Sequence, residues 1–197
     1  MKSGFRSTNW QELSFAIVGL GLIGGSYAKA LRALGAKQII GVERSEETLA
    51  QARDLGIIDV GMTDADERLA QADVVICAIY PEAIANFIKS NVVHFKADVL
   101  ITDVAGIKNN MIAEVQKALL PGMEFISGHP MAGRQSSGLG MADAAIFHNA
   151  NYIIVPEHGN SEAAIQWLEA FAKALGCQNT VRVTPEEHDR TIAFTSN

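Results

Sequence analysis

The segment 127–133, SGHPMAG, sets an ionisable ring on a backbone of small residues and proline. Gly128 and Pro130 flank His129, so little side-chain bulk separates the imidazole from whatever approaches it. Proline stiffens the adjoining backbone and holds the ring still. A histidine titrates near neutrality. In its neutral form it can take the proton of a hydroxyl group while hydride leaves the same carbon. His129 is therefore the candidate catalytic base. His94, His148 and His158 have no comparable setting and read as surface or packing residues.

A second stretch with chemical potential lies far upstream. GLGLIGGS puts Gly19, Gly21 and Gly24 in G-x-G-x-x-G spacing, after the apolar run FAIV and before a helical pattern. In that context Gly19 permits a tight turn, Gly21 lets backbone approach a phosphate, and Gly24 lets helix and strand pack closely. With Leu20, Leu22 and Ile23 they form the candidate pyrophosphate cradle, completed by free N–H groups at the helix start. Glu43 ends the second strand-like run. A carboxylate there accepts hydrogen bonds from both adenosine ribose hydroxyls and repels a 2′-phosphate, which favours NAD. Arg44 and Ser45 follow directly. An arginine there can clamp that phosphate, so NADP stays as the less favoured alternative.

These residues need elements to position them. Short β-rich runs at 15–19, 38–43, 59–62, 74–79, 98–104, 124–127, 151–156 and 178–183 alternate with helical patterns. Helices are expected at 22–34, from Ser45 to 54, from Pro81, up to Leu120, and at 161–175 with Ile165, Leu168, Ala172 and Leu175 on one face. Asp64 with Glu67 reads as a capping box. Such alternation predicts a doubly wound, mostly parallel α/β sheet of the Rossmann type. Ligands of these sheets sit beyond the carboxyl ends of the strands. AIYP (78–81), TDVAGIK (102–108) and SGHPMAG project there, and Ile79, Tyr80 and Asp103 are assigned to the cofactor. A boundary is expected near Thr184. TPEEHDR opens a helix with Thr184 as cap, Pro185 in the first position and Glu187 reaching back. That divides the chain into a dinucleotide-binding domain, 1–183, and the first helix of a further part, 184–197.

The composition narrows the class. A chain of 197 residues with 48% hydrophobic residues can bury a sizeable core. The net charge of −6 and the scattered basic residues argue against a nucleic-acid groove or an anionic membrane surface. Cys77 and Cys177 stand alone in apolar contexts and read as buried thiols of a cytoplasmic protein, with no metal site and no disulfide framework.

GLGLIGGS, TDVAGIK, SGHPMAG and EEHDRTIAFTSN, in that order and spacing, resemble the prephenate dehydrogenase family, which includes the arogenate dehydrogenases. The resemblance runs from Phe15 onward, and the His-Pro-x-Ala-Gly loop is its most specific part. It implies NAD-dependent oxidative decarboxylation of prephenate to 4-hydroxyphenylpyruvate, a step of tyrosine biosynthesis, with His129 matching the histidine that bonds the ring hydroxyl. It implies a homodimer formed through an all-helical part that also completes the substrate site. It further assigns Gly106, Lys108, Gly133, Arg134 and Gln135 to the substrate. Arg134 either pairs with a substrate carboxylate or is solvated.

The sequence departs from the family at three points. Gly106 stands where many members have a serine bonded to the histidine. Gln135 stands where prephenate-specific members often have glutamate, which leaves arogenate open as the substrate. Asn197 stands where a second histidine is usual. Ile192 and Phe194, on the helix from Pro185, are expected to need apolar partners. Two alternatives remain: a β-hydroxyacid-type dehydrogenase, with Lys108 the nearest candidate for its lysine, and an NAD-binding module without turnover.

Overall fold

The computed structural model describes residues 7–108, 111–133 and 136–195, with side chains to residue 190. The expectations for Arg134, Gln135 and Asn197, and for the side chains of Ile192 and Phe194, lie outside the described residues.

The run SFAIV forms strand β1 (Ser14–Val18), and every residue in it is buried. Burial on both faces is what a central parallel strand requires. The chain continues through α1 (Leu22–Ala33), β2 (Gln38–Val42), α2 (Glu46–Asp54), β3 (Val60–Met62) and β4 (Val74–Cys77). Then come α3 (Pro81–Asn91), β5 (Leu100–Asp103), α4 (Met111–Ala118) and β6 (Glu124–Phe125). These six strands form one parallel sheet in the order β3-β2-β1-β4-β5-β6. The order reverses between β1 and β4, and such switch points open a crevice at the carboxyl ends.

Strand residues alternate between two cores, as the period of two demands. Phe15, Ile17, Ile39, Val74 and Ile76 face α1 and α5 (Glu162–Ala174). Ala16, Val18, Ile40, Val75 and Cys77 face α3 and α4. The predicted apolar face of α5, Ile165, Leu168, Ala172 and Leu175, is buried in the first core. Cys77 and Cys177 are both free and buried.

Most local signals act as expected. Ser45 Oγ accepts the Thr48 N–H at 3.1 Å and starts α2. Pro81 opens α3. One cap differs: Asp64 and Glu67 form no box. Instead Asp66 accepts the Arg68 N–H at 3.0 Å and starts a short 3-10 helix, Glu67–Gln71. The Arg68 guanidinium also bonds the Asp66 carboxylate, which holds the cap in place.

The larger correction concerns 124–127, expected as one strand. Ile126 still donates to Ile101 of β5 at 3.0 Å. Beyond it the partners change: Ser127 Oγ and the Gly128 N–H donate to the Asp103 carboxylate. A side chain has replaced the backbone ladder, so the chain peels off as β7 (Ser127–Pro130). It joins β8 (Asn151–Val155) and β9 (Asn179–Arg182) in a second, three-stranded sheet, antiparallel to β8, with β8 and β9 parallel. His129 thus stands in a strand opposite Ile153, not in a loop.

After β9, Thr184 and Glu187 form the predicted capping box, with N–H···O distances of 2.9 and 3.2 Å, and launch α6 (Pro185–Thr195). No helix among the described residues is long and apolar enough to cross a membrane.

Candidate active site

The crevice at the switch point holds a cavity of about 930 Å3. Its floor is the glycine turn. Gly19 has φ +87°, and a Cβ there would stand 2.6 Å from the Ala78 carbonyl oxygen. At Gly24 a Cβ would overlap the Gly19 carbonyl oxygen, so only glycine lets α1 sit this close to β1. At Gly21 a Cβ would meet nothing within 4 Å, because the position faces the cavity. Gly21 is also the N-cap of α1 and offers no capping side chain. The first N–H groups of the helix therefore have no intrahelical acceptor and suit an anion. Gly21, Leu22 and Ile23 line the cavity, and so do Glu43, Arg44, Ile79 and Tyr80.

Glu43 does two things. Its carboxylate lines the cavity, and it straps the glycine turn by accepting the Leu20 N–H at 3.0 Å and the Ser45 N–H at 3.2 Å. Leu20 and Ser45, expected at the cofactor, take this supporting part and do not line the cavity. Gly133 is exposed away from it, with nothing within 4 Å of a Cβ there. The residues present fit a dinucleotide: a side-chain-free cradle at a helix start, and a carboxylate at the end of β2.

The opposite wall is Gly106. A Cβ there would lie 3.4 Å from both Cε1 and Nε2 of His129, so that edge of the imidazole faces the wall. The other ring nitrogen, Nδ1, is 3.1 Å from Nε2 of His188 on α6. The two rings meet edge to face at 64°. His188 is fully buried, and its Nδ1 is 3.1 Å from Asp189 Oδ1, which also accepts the Lys108 N–H at 3.2 Å.

Asp103, assigned to the cofactor, and Lys108, assigned to the substrate, do not line the cavity. Neither side chain is exposed. The Lys108 ammonium donates to Asp103 Oδ2 at 2.9 Å and to the Gly128 carbonyl oxygen at 2.7 Å. Asp103 Oδ2 also accepts the Ala105 N–H, while Oδ1 accepts from Ser127 and Gly128. Both side chains belong to the internal network that fixes the backbone just before His129, at Ser127 and Gly128. Burial of both keeps the pair out of the cavity lining.

The surroundings act on the imidazole. Burial, then the Lys108 ammonium, then His188, push His129 down to about 4, with Asp103 pulling weakly the other way. Burial likewise lowers His188, opposed by its bond to Asp189. Burial pulls the Lys108 ammonium below its usual range, against the attraction of Asp103. His129 is therefore a neutral ring at physiological pH.

Some site residues escaped the sequence reading. Thr63 and Asp64, at the end of β3, line the cavity, as do Ser136 to Gly138. Asp64 was legible only as a helix cap. His188 sits in the quoted EEHDR run, yet there it carries no signal beyond a helix start.

Known proteins resemble this chain in sequence and in fold. Over 194 residues the chain is 32% identical to prephenate dehydrogenase of Bacillus subtilis (strain 168), covering 96% of this chain and 51% of that protein. It thus spans about half the length of that relative. The crystal structure of Aquifex aeolicus prephenate dehydrogenase in complex with hydroxyphenyl propionate and NAD+ superposes with a TM-score of 0.84 at 27% identity, over 91% of this chain and 62% of that one. Synechocystis arogenate dehydrogenase matches with a TM-score of 0.86 at 29% identity, over 93% and 64%. Residues 27–181 match the family model described as the nucleotide-binding domain of prephenate dehydrogenase, and with these likenesses the chain belongs to the prephenate dehydrogenase family.

Proposed function

We propose that the protein oxidatively decarboxylates prephenate to 4-hydroxyphenylpyruvate, with NAD as oxidant and His129 as the base. One observation carries the reading. A neutral, immobilised imidazole edge stands against one wall of the same cavity whose floor is the glycine cradle. The chemistry that NAD would supply in this cavity is acceptance of hydride from the carbinol carbon of the ring. His129 Nε2 takes the proton of the ring hydroxyl, whose oxygen becomes a carbonyl. The bond to the ring carboxylate then breaks, CO2 leaves, and its electron pair returns to the ring as a phenolate, which takes the proton back from His129 to become the phenol. Gly21 and the start of α1 would hold the pyrophosphate of NAD, and Glu43 its ribose. Glu43 and Asp64, two carboxylates lining one cavity, support NAD over NADP, against Arg44 in the same lining.

Arogenate is the second reading. Support comes from the similarity to the Synechocystis enzyme and from Gln135 in the place of a glutamate. The reading includes a domain division near Thr184, a substrate site completed by helical segments, Arg134 and Gln135 at the substrate, a homodimer and a cytoplasmic setting. Titrating NAD and NADP, and assaying prephenate and arogenate oxidation on one preparation of full-length protein, tests it. Turnover of prephenate with NAD supports the proposal. Arogenate turnover alone moves it to the second reading. NAD binding without turnover of either leaves a binding module.

A further inference from the structure

His129 faces Gly106, which has no side chain to bond it, yet its ring is held from the other edge by His188. We infer that Asp189 and His188 act as positioning residues that fix the tautomer of His129, leaving the lone pair on Nε2, the nitrogen that faces the cavity wall. The inference deepens the reading of His129 as base and rests on it.

Asp189 Oδ1 can only accept, and it is 3.1 Å from His188 Nδ1, so that nitrogen carries the proton. A neutral imidazole has one N–H, which leaves His188 Nε2 as an acceptor. His188 is fully buried, and burial disfavours its charged form, so it is neutral. His129 Nδ1, 3.1 Å away, must then be the donor. One more application of the same rule leaves His129 Nε2 without a proton. The reverse arrangement would set a lone pair of His188 against the carboxylate and protonate the nitrogen meant to act as base.

The rest of the surroundings agree with that order. The Lys108 ammonium donates to Asp103 and to the Gly128 carbonyl, with no bond to either ring among the described residues. The Lys108 backbone N–H is the second donor to Asp189 Oδ1, which ties the acceptor end of the relay to the wall segment 103–108. At Gly106 only an exchange to a larger residue would add a group beside Nε2. The relay therefore does from the Nδ1 side what a side chain at position 106 could do from the Nε2 side.

The test is the proton itself, and it needs no turnover. Long-range 1H–15N correlation spectra of 15N-histidine-labelled protein distinguish the two neutral tautomers. Resonances are assigned with His129→Asn and His188→Gln. The expected result at neutral pH is a proton on Nδ1 of both rings. A proton on Nε2 of His129 in the unmodified protein overturns the inference. Asp189→Ala should populate the Nε2–H form of His129, while NAD titration on the same sample reports whether the cavity has stayed intact. An unchanged tautomer in Asp189→Ala with NAD binding retained also overturns it. If that variant does not fold, the spectrum of the unmodified protein decides alone. Expected tautomers without dehydrogenase turnover would sink the proposed function and leave the relay standing.

Discussion

Asp103 and Lys108 form an ion pair of 2.9 Å with neither side chain exposed, bonded to the backbone of Gly128 next to His129. The carboxylate holds the point where β7 leaves the main sheet, and the ammonium holds the Gly128 carbonyl. Removing one partner of such a pair strands the other charge in the core, a loss of about 3–5 kcal/mol. Lys108→Met should therefore lower the urea midpoint sharply, with little change in slope. A variant as stable as the unmodified protein would show that the pair does not hold β7.

Stability should depend on His129 in the acid range. Its folded value is lowered from 6.5 to about 4, so as pH falls the unfolded chain takes up the proton first. The contribution is fully present above about 6.5, declines as pH falls through about 4, and is level below. His129→Asn should flatten that slope. The check is ΔG of unfolding from urea titrations at a series of pH values. The same shift moves the acid limb of the rate profile below histidine's ordinary value, provided the substrate complex preserves the burial.

As a base, His129 should govern the rate and not the cofactor. His129→Asn in the full-length protein should lower kcat by about 10²–10⁴-fold. NAD affinity should stay nearly constant, because the cradle and Glu43 are untouched. Steady-state kinetics beside calorimetric NAD titration separates the two. Loss of NAD binding with kcat retained would make the ring structural.

Glu43 should matter twice over, since it lines the cavity and bonds the Leu20 N–H. Glu43→Ala should weaken NAD by about tenfold or more, ~1.4 kcal/mol, and narrow the preference over NADP. Titration of both cofactors against both proteins checks this. Tighter NADP than NAD binding by the unmodified protein would reverse the assignment.

The capping box at Thr184 should reach the active site through α6. Thr184→Ala removes the acceptor of the Glu187 N–H and costs ~1 kcal/mol. Because α6 carries His188, faster amide exchange in α6 should accompany a change in the His129 ring resonances. Faster exchange with unaltered His129 resonances would uncouple the helix from the ring.

Much of this was legible in the chain itself. The glycine spacing between FAIV and a helical pattern, and Glu43 at the end of the next strand, are local features. Each depends on residues within a few turns of its own, so reading them requires no partner. The same holds for Ser45, Pro81 and Thr184 as helix starts, and for the two-residue alternation that sorts Phe15 and Ala16 onto opposite faces. The type of residue at position 129 already named its chemistry. The sequence alone could not tell that Asp103 would end the backbone pairing at Ser127 and turn an expected loop into β7. Nor could it tell that Lys108 would be buried instead of facing a ligand, or that His188 would stand 3.1 Å from His129. Each of these is a pairing between segments distant in sequence. A side chain's own chemistry offers several possible partners, and only the packing of β7, β8 and α6 selects one.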